Sequence, residues 1–288
     1  MKQKRMKPSW FKTEIPSSPN FFLLKKILKE LKLTTVCEEA KCPNIGHCWG
    51  KKTATFMILG DICTRNCRFC AVKKGVPTPP NHEEPLLVAK AVKALGIKYA
   101  VITSVTRDDL FDGGASVFVD TIEAIRKLSK NVKIEILIPD FNGNEESLNK
   151  IFKTKPEVLN HNLETVEELY PLINRPSSFY RRSLQILEKA KKHNLVTKSG
   201  IMVGLGENKK QIIKTLKDLR SVGCDILTIG QYLQPTKNHV PVKKYYREEE
   251  FHELKLIGKE LGFKWVEAGP LVRSSFHAQQ IYYRAKIQ

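Results

Sequence analysis

Seven cysteines are the residues most able to do chemistry in this 288-residue chain, and six of them stand in two triplets. Cys37, Cys42 and Cys48 form C-x4-C-x5-C; Cys63, Cys67 and Cys70 form C-x3-C-x2-C. Dense thiols make disulfide frameworks in small secreted domains and metal or redox centres elsewhere. Here the basic start, Met1 to Lys7, is followed by no apolar stretch, so no signal peptide is expected, and the chain is long enough for its own core. Metal is the better expectation, and closely spaced thiolates are what iron–sulfur clusters take. Each triplet is one ligand short of a closed four-ligand site. An iron without a protein thiolate can bind something else, as a catalytic metal keeps a position open. Zinc fits less well, because zinc sites usually pair short C-x2-C knuckles with a distant second pair. His47, beside Cys48, would complete a zinc site but reads as a loop residue. Cys224 follows Gly223 at the end of a helical pattern and reads as a small buried apolar residue.

Elements that can position these thiols begin near residue 54. Short apolar runs at 54–59, 99–105, 132–138, 158–160, 197–203 and 226–232 alternate with helical patterns near 85–95, 115–129, 145–153, 165–172, 179–193 and 208–222. A last helix fits 247–260, followed by Phe263–Val266. Buried strands alternating with helices predict βα units and a parallel sheet, an α/β fold. Six repeats make most of a barrel, although the pattern alone also allows an open sheet. In such barrels the working face lies at the C-terminal ends of the strands. Those ends carry Thr103-Ser104, Asn160 to Asn162, Gly204 to Gly206 and Gln231-Tyr232, and the second triplet follows the first strand directly. Residues 1–50 hold Pro8, Pro16, Pro19 and Pro43 and one amphipathic stretch, Phe22 to Leu31, which predicts an irregular extension around the first triplet.

The formal charge is +19. Such an excess marks nucleic-acid binding, an acidic protein partner, a membrane surface, or merely a Lys-rich soluble surface. The densest clusters, Lys2 to Lys7 and Lys189 to Lys192, are short, and no nucleic-acid-binding signature accompanies them. The soluble surface is the first expectation, with an acidic protein partner kept open; nucleic acid and membrane are not expected. No run approaches the roughly 18 apolar residues of a membrane helix.

Cys63-Thr64-Arg65-Asn66-Cys67-Arg68-Phe69-Cys70, placed after a first strand, resembles the cluster loop of the radical S-adenosylmethionine enzymes. Cys37 to Asn44, continued by His47-Cys48-Trp49, is similar to the auxiliary-cluster motif of the lipoyl synthases. Val272 to Ala278 resembles that family's Arg-Ser-Ser-Tyr pattern, with Phe276 where the family usually has Tyr. Thr103 to Gly114, Asn160 to Val166 and Gln231 to Pro241 agree too, so the resemblance runs from about 35 to about 280. Rivals of the same fold are biotin synthases and RNA methylthiotransferases. A zinc or iron–sulfur nucleic-acid module is a rival of another class.

The resemblance implies a partial (β/α)6 barrel of the radical type over 53–262. An N-terminal extension (1–52) and a C-terminal extension (263–288) would cover the barrel mouth. It implies that Cys63, Cys67 and Cys70 ligate a 4Fe–4S cluster whose fourth iron chelates S-adenosylmethionine, cleaved to methionine and a 5′-deoxyadenosyl radical. Cys37, Cys42 and Cys48 would hold a second 4Fe–4S cluster, the sulfur source, with Ser275 as its fourth ligand and Ser274 the alternative. Ser-Ser is otherwise an ordinary polar loop. Two sulfurs would enter carbons 6 and 8 of an octanoyl chain on a lysine of a lipoyl carrier domain. That carrier would belong to a 2-oxoacid dehydrogenase acyltransferase subunit or be the glycine cleavage H protein. The resemblance further implies a ferredoxin- or flavodoxin-type electron donor, a monomer and a cytoplasmic location. Phe69, Thr103, Asn162, Glu164, Lys198 and Gln231 are the expected cofactor contacts. Glu164 would accept a ribose hydroxyl, or else sit at a helix N-terminus against the macrodipole. Gly113-Gly114 is expected near the methionine end of the cofactor, or as a tight turn.

Overall fold

The computed structural model describes residues 15–287 together with Pro8, Phe11 and Thr13. The basic cluster Lys2 to Lys7 lies outside the described residues. Among those described, no helix is long and apolar enough to cross a membrane.

Strands form where the apolar runs predict them. One eight-stranded sheet has the order β1-β2-β5-β6-β7-β8-β9-β10. β2 (Thr55–Ile58), β5 (Tyr99–Ser104), β6 (Lys133–Leu137), β7 (Val158–Asn160), β8 (Thr197–Val203), β9 (Ile226–Gln231) and β10 (Trp265–Gly269) are all parallel. β10 pairs with β9 through Trp265↔Ile226 and so adds a seventh parallel strand to the six expected. β1 (Thr34–Thr35) joins the other edge antiparallel, Thr34 opposite Met57. The two edges do not pair, so the barrel is partial. β3 (Ile62–Cys63) and β4 (Lys73–Lys74) pair separately within the loop after β2.

Successive residues of a strand face opposite ways, and the two faces meet different partners. Ala100, Ile102, Ile134, Ile136 and Leu159 pack outward on α4 (Glu84–Ala94), α5 (Ala115–Leu128) and α6 (Glu145–Lys153). α7 (Ser178–Lys192), α8 (Lys209–Ser221) and α9 (Glu248–Glu260) cover the later strands. Each fully buried Ile or Phe there contributes about 1.5–3 kcal/mol. The inward face begins with Tyr99, Val101, Val158 and Ile226, all near strand starts. Ala278, Ile281 and Tyr282 of α10 (Ala278–Ile287) pack on them. This C-terminal helix, absent from the sequence reading, therefore plugs the end of the barrel opposite the mouth.

Two stretches differ from expectation. Residues 165–172 form only a 3-10 turn at Glu167–Leu169. Glu164 and Asn174 hold left-handed backbone, and Pro171 and Pro176 interrupt any longer helix. From Ser18 onward the described part of the N-terminal extension is helical rather than irregular. Ser18 caps α1 (Pro19–Glu30) by accepting from Phe21 N at 3.2 Å, with Pro19 at the first helical position. Thr35 caps α2 (Val36–Glu39), and α3 (Ile45–Gly50) follows. Trp49, fully buried, packs 5.1 Å from the Phe21 ring and ties α3 to α1.

Candidate active site

The chain leaves β2 through Leu59 and Gly60, both left-handed at φ +70° and +87°. Leu59 N donates to Glu84 Oε2 at 2.7 Å, and Leu59 O accepts from Arg107 Nη1 at 3.2 Å. Beyond this bend the thiol loop is stitched to loops at other strand ends. Thr64 N donates to Thr106 O at 3.0 Å. Arg68 N donates to Ile173 O at 2.9 Å, and Arg68 O accepts from Val240 N at 3.0 Å. Asn174 Nδ2 donates to Asn66 O at 2.8 Å, and His239 Nε2 lies 2.9 Å from Cys70 O. Cys63, Cys67 and Cys70 thus sit at the C-terminal ends of the strands, facing the barrel mouth.

No cysteine is in a disulfide among the described residues. Burial pushes the Cys70 thiol up to about 12, and Cys67, Glu164 and Cys63 push the same way, which places the three sulfurs and Glu164 in one electrostatic neighbourhood. Burial pushes Cys37 up to about 11, with Cys42 adding to it. For Cys37 and Cys70 burial disfavours the thiolate that iron needs, a cost that a cationic iron–sulfur core would offset by drawing out the proton. No three His, Cys, Asp or Glu side chains among the described residues converge on one ion-sized point. A four-iron cube instead takes one thiolate on each iron. The donor set fits such clusters.

The C-terminal segment joins the two triplets. Asn44 Nδ2, between Cys42 and Cys48, donates to Leu271 O at 2.6 Å. Arg273 lies within electrostatic reach of Cys42, and His47 packs 6.0 Å from the Phe276 ring and 5.8 Å from His277. Segment 272–274 then runs against the inner face of β8 and β9, where two glycines make room. A Cβ on Gly230 would stand 2.1 Å from Val272 O, and one on Gly200 would stand 2.9 Å from Asn162 Oδ1 and 3.1 Å from Ser274 Oγ. Ser274 Oγ donates to Asn162 Oδ1 at 2.9 Å. The Ser275 hydroxyl makes no such bond among the described residues.

Asn162 and Glu164 stand at the barrel mouth, just after β7. Desolvation at the half-buried Glu164 raises its pKa, while Arg175 and Asn162 pull it back. With no α-helix after it, the macrodipole alternative for Glu164 falls away. Burial would lower Arg175, yet Glu164 and Cys67 hold its guanidinium above the usual range. Arg175 also lies 5.8 Å over the Phe69 ring, which packs near Ile173, Leu205 and Tyr232. Thr103 is buried with Oγ1 donating to Leu137 O at 2.9 Å, and Ser104 Oγ is buried without a partner. Gly113 and Gly114 are both left-handed, at φ +62° and +88°, and a Cβ on Gly114 would stand 2.2 Å from Leu59 Cδ1. They are the turn that lets α5 start beneath the Leu59 bend.

Two expected contacts are not brought to the mouth. Lys198 is the second residue of β8, level with Ile226 at the plugged end. Its Nζ pairs with Glu135 Oε1 at 2.9 Å, both side chains 1% exposed, and Tyr99 and Asn160 complete the network. Gln231 faces away from the inward Gly230. Its Nε2 donates to Tyr232 O and Lys244 O at 3.1 and 2.9 Å, and its Oε1 accepts from Tyr246 N at 2.9 Å. That amide is fully used in holding the loop after β9. Conversely, Arg65, Arg175 and His239 join the site without having been singled out. An arginine inside the C-x3-C spacing and two mid-strand glycines were the available signals.

Residues 57–219 match the model of the radical SAM superfamily, and residues 1–42 match that of the N-terminal domain of lipoyl synthase. A lipoyl synthase of Caldicellulosiruptor bescii is 54% identical over 275 residues, spanning 95% of this chain and 94% of its own. One of Rubrobacter xylanophilus is 52% identical over 276 residues, spanning 95% and 86%. Streptococcus suis SuiB bound to S-adenosylmethionine shares the fold with TM-score 0.57 at 13% identity, over 77% of this chain and 53% of that one. Methylornithine synthase does so with TM-score 0.55 at 17% identity, over 84% and 74%.

Proposed function

Because the chain belongs to the lipoyl synthase family of radical S-adenosylmethionine enzymes, we propose a division of labour between its two triplets. The chain is a sulfurtransferase that inserts two sulfur atoms into an octanoyl chain carried by a lipoyl domain, using S-adenosylmethionine and 4Fe–4S clusters. When bound, the clusters and S-adenosylmethionine supply the electron, the radical and the sulfur that no side chain can provide. Cys63, Cys67 and Cys70 hold the cluster that binds S-adenosylmethionine, at the strand ends where such sites form. Cys37, Cys42 and Cys48 hold the sulfur-donating cluster, with Ser275 as the fourth ligand. Glu164 accepts a ribose hydroxyl, oriented by Asn162 and charge-balanced by Arg175. The α10 plug and the 271–277 strap keep water from the bore.

One observation carries this assignment of roles. Leu271, four residues from Ser275, is hydrogen-bonded to Asn44, which lies between two cysteines of the first triplet 227 residues away. That contact supports a serine from the C-terminal motif completing a three-cysteine site. The carrier is an octanoylated lipoyl domain of a 2-oxoacid dehydrogenase acyltransferase subunit or the glycine cleavage H protein. A ferredoxin- or flavodoxin-type protein is the electron donor. The enzyme works as a monomer in the cytoplasm, whose reducing pool keeps its thiols free.

Anaerobic turnover of an octanoyl-lysyl peptide, read by mass for two sulfurs gained, tests the reading. Cys63→Ala, Cys67→Ala or Cys70→Ala should abolish deoxyadenosine formation. Cys37→Ala, Cys42→Ala or Cys48→Ala should leave deoxyadenosine without thiolated peptide. Thiolated product from the second set overturns the assignment of the sulfur source.

A further inference from the structure

Between Cys63 and Cys67 stands an arginine whose side chain gathers three segments from around the barrel mouth. Arg65 Nε and Nη2 grip the two oxygens of Asp108 at 2.7 and 2.9 Å, a forked pair. Nη2 also reaches Asp140 Oδ1 at 2.6 Å and Asn142 Oδ1 at 2.9 Å. Asp108 follows β5; Asp140 and Asn142 follow β6. Asn142 Nδ2 returns to Asp108 Oδ1 at 3.0 Å, and Arg182 Nη1 of α7 takes the other Asp140 oxygen at 3.0 Å. The Phe179 ring stacks 5.0 Å from the Arg65 guanidinium and 4.3 Å from that of Arg182. The clamp is shielded on one side only: the Arg65 side chain is 11% exposed and that of Asp140 5%, whereas Asp108 and Asn142 stand at the surface. The backbone takes part as well, because Arg65 N–H faces Cys63 Sγ at 3.4 Å and Asp108 N donates to Thr64 Oγ1 at 3.1 Å.

We propose that Arg65 is a positioning residue whose clamp fixes the Cys63–Cys70 loop before any metal arrives, so that the three thiols already stand where the cluster is assembled. The proposal rests on the assignment of those cysteines as ligands. Ordering backbone costs about 1–2 kcal/mol per residue, and this loop has only the two-residue pairing of β3 with β4 as regular structure. A preformed site moves that cost from metal loading to folding. The fork explains the residue type. One planar guanidinium serves Asp108, Asp140 and Asn142 together, whereas a lysine ammonium of equal charge offers no such fixed fork.

The test uses the full chain carrying Cys37→Ala, Cys42→Ala and Cys48→Ala, which leaves only this site. Loaded anaerobically with iron and sulfide, it should take up about four irons. Adding Arg65→Lys should slow uptake about tenfold and speed amide exchange of the metal-free loop, Thr64 to Cys70, by about tenfold. Asp140→Asn should act in the same direction with a smaller effect. Exchange in α5 and β6 should stay as in the parent. A parent that binds no iron overturns the ligand assignment, and the proposal with it. A parent that loads normally, with Arg65→Lys matching it in uptake and exchange, overturns the clamp alone. Faster exchange spread through α5, β6 and α7 makes Arg65 a general brace and also overturns it.

Discussion

Ser274 donates its hydroxyl to Asn162 at 2.9 Å, joining residues 112 positions apart and linking the C-terminal motif to the carboxylate end of the barrel mouth. Asn162 in turn steadies Glu164, which faces Arg175, which faces Cys67. The segment that closes on the first triplet is thereby continuous with the groups around the second.

The two adjacent serines should therefore separate by phenotype. Ser274→Ala removes one hydrogen bond, worth about 1 kcal/mol, so affinity for S-adenosylmethionine should weaken about fivefold with iron content unchanged. Ser275→Ala should lose iron from the first triplet's site and leave that affinity alone. Ser275→Cys should keep the iron and form deoxyadenosine without transferring sulfur, since thiolate holds iron more firmly than an alkoxide. Equilibrium binding and iron analysis on the same preparations decide the matter. Exchanged phenotypes would make Ser274 the ligand.

Lys198 and Glu164, both expected at the cofactor, should now differ. Lys198→Met strands the buried Glu135 carboxylate and should cost about 3–5 kcal/mol of stability. Adding Glu135→Gln should recover most of it. What folds should bind S-adenosylmethionine as the parent does. Glu164→Gln should change stability little and weaken that binding about tenfold. Urea unfolding and binding titrations measure both, and weakened cofactor affinity in the Lys198→Met, Glu135→Gln pair would return Lys198 to the site.

Much of the scaffold is legible in the sequence because parallel strands buried on both faces are short apolar runs. What the runs do not tell is height within the barrel. Lys198 and Gln231 sit in correctly placed strands, yet one lies at the strand start and the other faces outward, and only the register, Lys198 opposite Ile226 and Gln231 opposite Val203, settles that. α2 and α3 span four and six residues, too short for a helical period to show. Arg65 has partners 43 to 77 positions away, so its place inside the C-x3-C spacing marks it but nothing local says what it holds. The cysteine spacings are legible because each triplet falls within a short stretch of chain, whereas Ser275, proposed for the same site as Cys37 to Cys48, is far away in sequence and only the fold brings it near.

Asp140 gives the clamp a pH signature. Burial alone would raise its pKa, but the bonds and charge of Arg65, with help from His161 and Arg182, hold it at about 2, against 3.8 unperturbed. A depressed carboxylate contributes stability that is complete above the unfolded value and is lost as pH falls through the folded one. The contribution is about 2 kcal/mol. The stability gap between the parent and Asp140→Asn should be full at pH 5 and shrink between about pH 4 and pH 2. Denaturant midpoints across that range test it, and a gap independent of pH would show that the aspartate acts by shape alone.

The charge of +19 should act on the carrier rather than on the acyl chain. A folded lipoyl domain of acidic surface presents many charges to a basic protein and is steered to it from a distance. A short neutral octanoyl-lysyl peptide carries no such charge and meets only the mouth. The Debye length falls from about 30 Å at 0.01 M salt to about 8 Å at 0.15 M. Over that range kcat/KM for the carrier should drop at least tenfold, through slower association, while kcat/KM for the peptide stays within about twofold. A parallel fall for both substrates would mean that salt disturbs the site itself. Flat profiles for both would reduce the lysine-rich surface to a matter of solubility.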